Sequence, residues 1–113
     1  MKKVLALDFD GVLHIYKGNW SGPADVSGYP APGAVEFCKQ ASERFDLVIF
    51  SCRCVDMWAI RAMKNWLKKH DFPEIECVLV KPVASVYLDD RGWTFTGTFP
   101  TIDEIDKFNP WWQ

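Results

Sequence analysis

An α/β fold on a mostly parallel sheet is what this sequence predicts, and three observations carry the prediction. Short continuous apolar runs recur, and each stops abruptly at a polar residue. Segments of helical periodicity lie between them. The 113 residues are 49% hydrophobic and include six Trp and eight Phe, so one aromatic-rich core can form and disorder is excluded. Residues 1–113 are read as a single domain, since two cores need more chain than this.

The first run, residues 4–7, ends at Asp8. Residues 47–50 stop at Ser51, and residues 83–88 stop at Asp89 and Asp90. A shorter run, residues 77–80, stops at Lys81. Unbroken apolar runs suit strands buried on both faces of a parallel sheet. Residues 94–99 alternate Thr with Phe around Gly97 and read as a last, more exposed strand.

Helices are expected between these strands. Ala34, Phe37, Cys38, Ala41 and Phe45 share one helical face, and Pro32 near the start costs no hydrogen bond there. A second stripe runs through Ala59, Ile60, Met63, Trp66 and Leu67, with Arg61, Lys64, Lys68 and Lys69 outside. Thr101 and Glu104 have capping-box spacing for a short third helix. Strands alternating with helices imply a sheet covered on both sides. Residues 14–31 are punctuated by Gly and Pro instead, and read as a flap or hairpin turning at Gly18-Asn19.

Charge and cysteine usage exclude more than they assign. The net charge of −2 gives no support to a nucleic-acid partner. The Lys and Arg of the second helix read as a solvated face. No apolar stretch approaches the ~18 residues of a membrane span, and the run after Lys2-Lys3 is too short for a signal peptide. A cytoplasmic protein with reduced thiols is the expectation. Cys52-Arg53-Cys54 lacks zinc-knuckle spacing, and Cys38 and Cys77 read as core, as do Trp58 and Trp66.

Chemistry gathers at the ends of the strands. Asp8, Asp10, Ser51, Lys81, Asp89 and Asp90 all follow apolar runs, and open parallel sheets bind ligands beyond the carboxyl ends of their strands. Carboxylates crowded there repel one another, and Mg²⁺, which prefers all-oxygen ligands, relieves the repulsion. A carboxylate, a hydroxyl, a lysine and Mg²⁺ together suit a phosphoryl group.

Asp8-Phe9-Asp10-Gly11-Val12 after an apolar strand resembles the first motif of the haloacid dehalogenase-like (HAD) hydrolase superfamily. Ser51, Lys81 and the Asp89-Asp90 pair are similar to its second, third and fourth motifs. The likeness spans nearly the whole chain. It implies a three-layer Rossmann-like fold and a Mg²⁺-dependent phosphatase that forms an aspartyl-phosphate. Asp8 would be the nucleophile and Asp10 the general acid and base. Ser51 and Lys81 would hold the phosphoryl oxygens. The metal ligands would be Asp8, the Asp10 carbonyl and either Asp89 or Asp90, with the other of that pair assisting.

Gly11 would give the sharp turn beside the substrate, and Arg53 would bind substrate or else pair with a local carboxylate, as would Arg91. His14 reads as a satisfied or solvated histidine. The gaps between motifs leave no room for a cap domain, so the site should be open to a small phosphate ester or a phosphorylated macromolecular end. A receiver-like phosphoacceptor uses the same groups, but with its acceptor Asp in mid-chain, where Ser51 stands. An inactive metal- or phosphate-binding module is the third reading.

Overall fold

The computed structural model describes every residue except Met1, Lys17 and Asn19. Among the described residues, six strands and three helices follow in order. They are β1 (Lys3–Leu7), β2 (His14–Ile15), β3 (Tyr29–Pro30), α1 (Ala34–Ala41) and β4 (Phe45–Ile49), then α2 (Met57–Lys69), β5 (Glu76–Cys77), β6 (Val86–Leu88) and α3 (Ile102–Asp106). One parallel sheet runs β5-β4-β1-β6, with Lys3 to Leu7 paired in register against Phe45 to Ile49. The class and the strand order are compatible with a Rossmann-like fold.

Connection handedness decides where the core lies. The steps β1-α1-β4 and β4-α2-β5 move in the same direction across the sheet. Right-handed crossovers that do so place their helices on one face. Accordingly Leu5, Leu7 and Ile49 form one cluster with Ala34 and Cys38 of α1 and with Met63, Trp66 and Leu67 of α2. The return from β5 to β6 passes through residues 78–85, which hold no helix. The opposite face therefore receives no comparable helical layer, and α3 buries none of its residues.

Several expectations are corrected by this asymmetry. The doubly covered sheet is not what forms, and β6 is exposed along its whole length. Strand pairing takes only residues 86–88 of the 83–88 run and only residue 77 of the 77–80 run, joined there by Glu76. Leu79, Val80 and Val83 stay exposed, because the chain leaves the sheet at this crossing. Residues 94–99 form no strand: Gly97 sits at φ +99°, and the Phe95 and Phe99 rings meet at a tilt, centroids 4.8 Å apart, instead. Phe45 opens β4 rather than extending α1, and Trp58 is exposed beneath the Arg61 guanidinium rather than in the core.

The flap forms and is closed at its base. Its two short strands pair His14 with Pro30 and Ile15 with Tyr29. The turn at Gly18-Asn19 falls on Asn19, outside the described residues. The Gly28 amide closes the flap on itself by donating to His14 Nε2 at 2.9 Å, and Trp66 Nε1 ties it to the core by donating to the Gly28 carbonyl at 3.0 Å. A side chain at Gly28 would collide with the Ile15 carbonyl, so the position requires glycine.

Candidate active site

Parallel pairing brings three strand ends together. Asp8 directly follows β1, its amide donates to the Leu88 carbonyl at 2.9 Å, and the Phe50 amide donates to the Leu7 carbonyl at 2.9 Å. Asp8 is thus flanked by Phe50-Ser51 on one side and Leu88-Asp89 on the other. A cavity of about 930 Å³ opens here, lined by Asp8, Asp10, Ser51, Asp89 and Asp90 among others. Five of the six expected strand-end residues meet in one place.

Lys81 is the exception. It is exposed, does not line the cavity, and lies with Nζ 4.7 Å from the centre of the Tyr87 ring. Tyr87 itself does line the cavity.

Asp8 and Asp10 occupy contrasting electrostatic settings. Burial raises Asp8 to about 7, and the neighbouring Asp90 and Asp10 carboxyls add to the rise against a lowering hydrogen bond from the Phe9 amide. Burial also pushes Asp10 upward, but His14 and Arg53 outweigh it and hold the carboxyl below its usual range. The Asp10 oxygens accept from Arg53 Nε at 2.6 Å, Arg53 Nη2 at 3.0 Å and His14 Nδ1 at 2.8 Å. His14 Nε2 accepts from the Gly28 amide, so the ring's proton resides on Nδ1 and is donated to Asp10. The geometry makes Asp10 a clamped carboxylate.

Arg53 pairs with the carboxylate instead of lining the cavity. It is fully buried, and its Nη1 donates to the carbonyls of Pro23 and Asp25 at 2.9 and 2.8 Å. One guanidinium therefore ties the flap loop to the first strand's end. Ser51 is buried, with Oγ accepting from the Arg53 amide at 3.1 Å, which leaves its own proton to donate.

The two acidic neighbours of the fourth motif separate in role. Asp89 Oδ1 caps its own turn, accepting from the Arg91 amide at 3.0 Å and from the Gly92 amide. Asp90 is the one that reaches the Asp8 carboxyl, while its Oδ2 accepts from Trp112 Nε1 at 2.7 Å. Trp111 Nε1 donates to the Gly11 carbonyl at 2.7 Å. Gly11 sits at φ +80°, and a Cβ there would strike Asp90 and Trp112. The tail tryptophans are site residues that spacing could not reveal: the only sequence signal was an apolar cluster remote from every motif.

Among the described residues, no group of three or more His, Cys, Asp and Glu stands at metal-ligand spacing. Asp8 and Asp90 form a smaller donor set of two adjoining carboxyls. Such a pair fits Mg²⁺, which typically takes one or two protein carboxylates and fills the remaining positions with water and substrate phosphate oxygens. Burial first, and then the neighbouring Asp90, disfavour the ionised Asp8, and a cation would offset both.

Comparison with known proteins yields no match. Neither a family model, a curated protein nor a solved structure is significantly similar to the chain.

Proposed function

We propose that the protein is a Mg²⁺-dependent, HAD-like phosphatase that hydrolyses a phosphate monoester through an aspartyl-phosphate on Asp8. The observation that carries this reading is the Asp8–Asp90 pair at the end of the central strand, in the same cavity as Ser51. Bound Mg²⁺ would neutralise the phosphoryl oxygens and favour the ionised form of Asp8. Asp8 and Asp90 would hold it.

Asp8 then attacks phosphorus, its Oδ–P bond forming as the ester P–O bond breaks. Ser51 donates its hydroxyl to a phosphoryl oxygen. Arg91, which lines the cavity and is exposed, supplies cationic charge where Lys81 does not reach. Asp10 would protonate the leaving oxygen and then take a proton from the hydrolytic water. That duty requires the carboxyl, held below its usual range here, first to be released by Arg53 and to gain a proton.

The test is direct. With Mg²⁺ present, the chain should release phosphate steadily from an aryl phosphate, and Asp8→Asn should abolish release while the circular dichroism spectrum stays unchanged. Turnover that survives in Asp8→Asn would overturn the covalent mechanism. A stable phosphoprotein formed from a small phosphodonor, without steady release, would favour the receiver-like reading.

A further inference from the structure

Besides Tyr87, whose hydroxyl donates to the Pro82 carbonyl, the phosphoryl chemistry leaves three exposed aromatic side chains of the cavity without a task. Tyr16, Trp20 and Trp112 all line the cavity, yet they are 39%, 49% and 44% exposed. Core packing does not account for rings that remain this wet. Exposed aromatics clustered at the rim of a concave site mark a recognition surface.

These rings are held in place. The Arg53 guanidinium lies 4.7 Å from the Trp20 ring centre and 5.5 Å from that of Tyr16. Because Arg53 is buried and bound to Asp10, it is a fixed cationic backing for both rings. Trp20 and Tyr16 meet edge to face with centroids 6.0 Å apart. Trp112 is fixed by its bond to Asp90 and backed by Arg91 at 5.3 Å. Trp20 and Tyr16 are thus linked to the Asp10 carboxylate through Arg53, and Trp112 bonds the Asp90 carboxylate directly.

We propose that this mouth is a base-stacking subsite and that the substrate is a nucleoside monophosphate, its base taken by Trp20 with Tyr16 and Trp112 alongside. The proposal rests on the phosphomonoesterase reading above. Two features select the ligand. A cavity of about 930 Å³ is ample for a mononucleotide. The net charge of −2 disfavours a polynucleotide, whose binding is driven by phosphate neutralisation.

Equilibrium titration of the Asp8→Asn chain in metal-free buffer tests this without turnover and without dependence on the metal. Adenosine monophosphate, ribose 5-phosphate and phenyl phosphate are the probes. Stacking should make the nucleotide bind about 5- to 150-fold more tightly than ribose 5-phosphate. Adding Trp20→Ala should collapse that preference, and Trp20→Phe should restore most of it. Equal affinities, a preference that survives Trp20→Ala, phenyl phosphate binding as tightly as the nucleotide, or no binding by any probe would each overturn the proposal. Base-selective binding by the unaltered chain with no phosphate release supports the subsite and counts against the phosphatase reading instead.

Discussion

At the scale of the residue, Arg53 links more of the molecule than any other side chain around the site. It satisfies both Asp10 oxygens and the carbonyls of Pro23 and Asp25, all while fully buried. Arg53→Met would leave a partly buried carboxylate and several carbonyls unpaired. Removing one partner of such a pair costs about 3–5 kcal/mol, so urea unfolding should show a loss of that order. Arg53→Lys should rescue little, because a point charge cannot reproduce the planar fork that reaches Asp10 and the loop together. A stability near that of the unaltered chain in Arg53→Lys would refute this account.

Gly11 makes a second residue-scale prediction. Its φ of +80° and the closeness of Asp90 and Trp112 both oppose a side chain. Gly11→Ala should therefore destabilise by more than about 1 kcal/mol in thermal or urea unfolding. It should also displace Asp90 from Asp8 and depress phosphate release more than the stability loss explains. Full activity in a folded Gly11→Ala chain would show that Asp90 does not need its present position.

Elements differ in how much of the fold depends on them. In α2 the Asp56 side chain caps the helix, accepting from the Ala59 amide at 2.9 Å, and the helix buries Ala59, Met63, Trp66 and Leu67. In α3 the capping box of Thr101 and Glu104 is complete, yet no residue of that helix is buried. Asp56→Ala should thus cost the whole molecule about 1 kcal/mol, whereas Thr101→Ala should only fray a helix whose folding is barely coupled to the core. Equal midpoint shifts in urea for the two variants would contradict that difference.

The same contrast explains what the sequence reveals. β1, β4 and α2 were legible because their apolar patterns match the burial they receive. Residues 83–88 looked equally buried, but β6 is exposed, since strand propensity says nothing about whether a later helix will cover the strand. The alternation of residues 94–99 also indicated a strand, and Gly97 together with the lack of a pairing partner defeated it. At the site, Asp8, Asp10, Ser51, Asp89 and Asp90 were readable from the ends of runs. The clamping of Asp10 by Arg53, and the bonds of Trp111 to Gly11 across 100 residues and of Trp112 to Asp90 across 22, depend on tertiary folding alone.

The whole molecule is asymmetric across its sheet. Both long helices pack on one face, so stability resides there, while the strand ends open into a cavity whose acidic groups oppose one another. Asp8 and Asp90 are brought together by the parallel pairing of β1 with β6. A cation that binds the native chain but not the unfolded one stabilises it by mass action, by about 2.7 kcal/mol at a hundredfold excess over its dissociation constant. Mg²⁺ should accordingly raise the thermal midpoint, and the rise should saturate with concentration. Asp8→Asn removes one of the repelling charges, so in metal-free buffer it should melt no lower than the unaltered chain and should lose most of the Mg²⁺ response. Asp90→Asn should behave likewise, because the two carboxyls act as a pair. Asp89→Asn should retain the response, since Asp89 is turned toward its own loop amides. A Mg²⁺ shift that vanished only in Asp89→Asn would move the metal to the other member of the fourth motif and undo the assignment of Asp90.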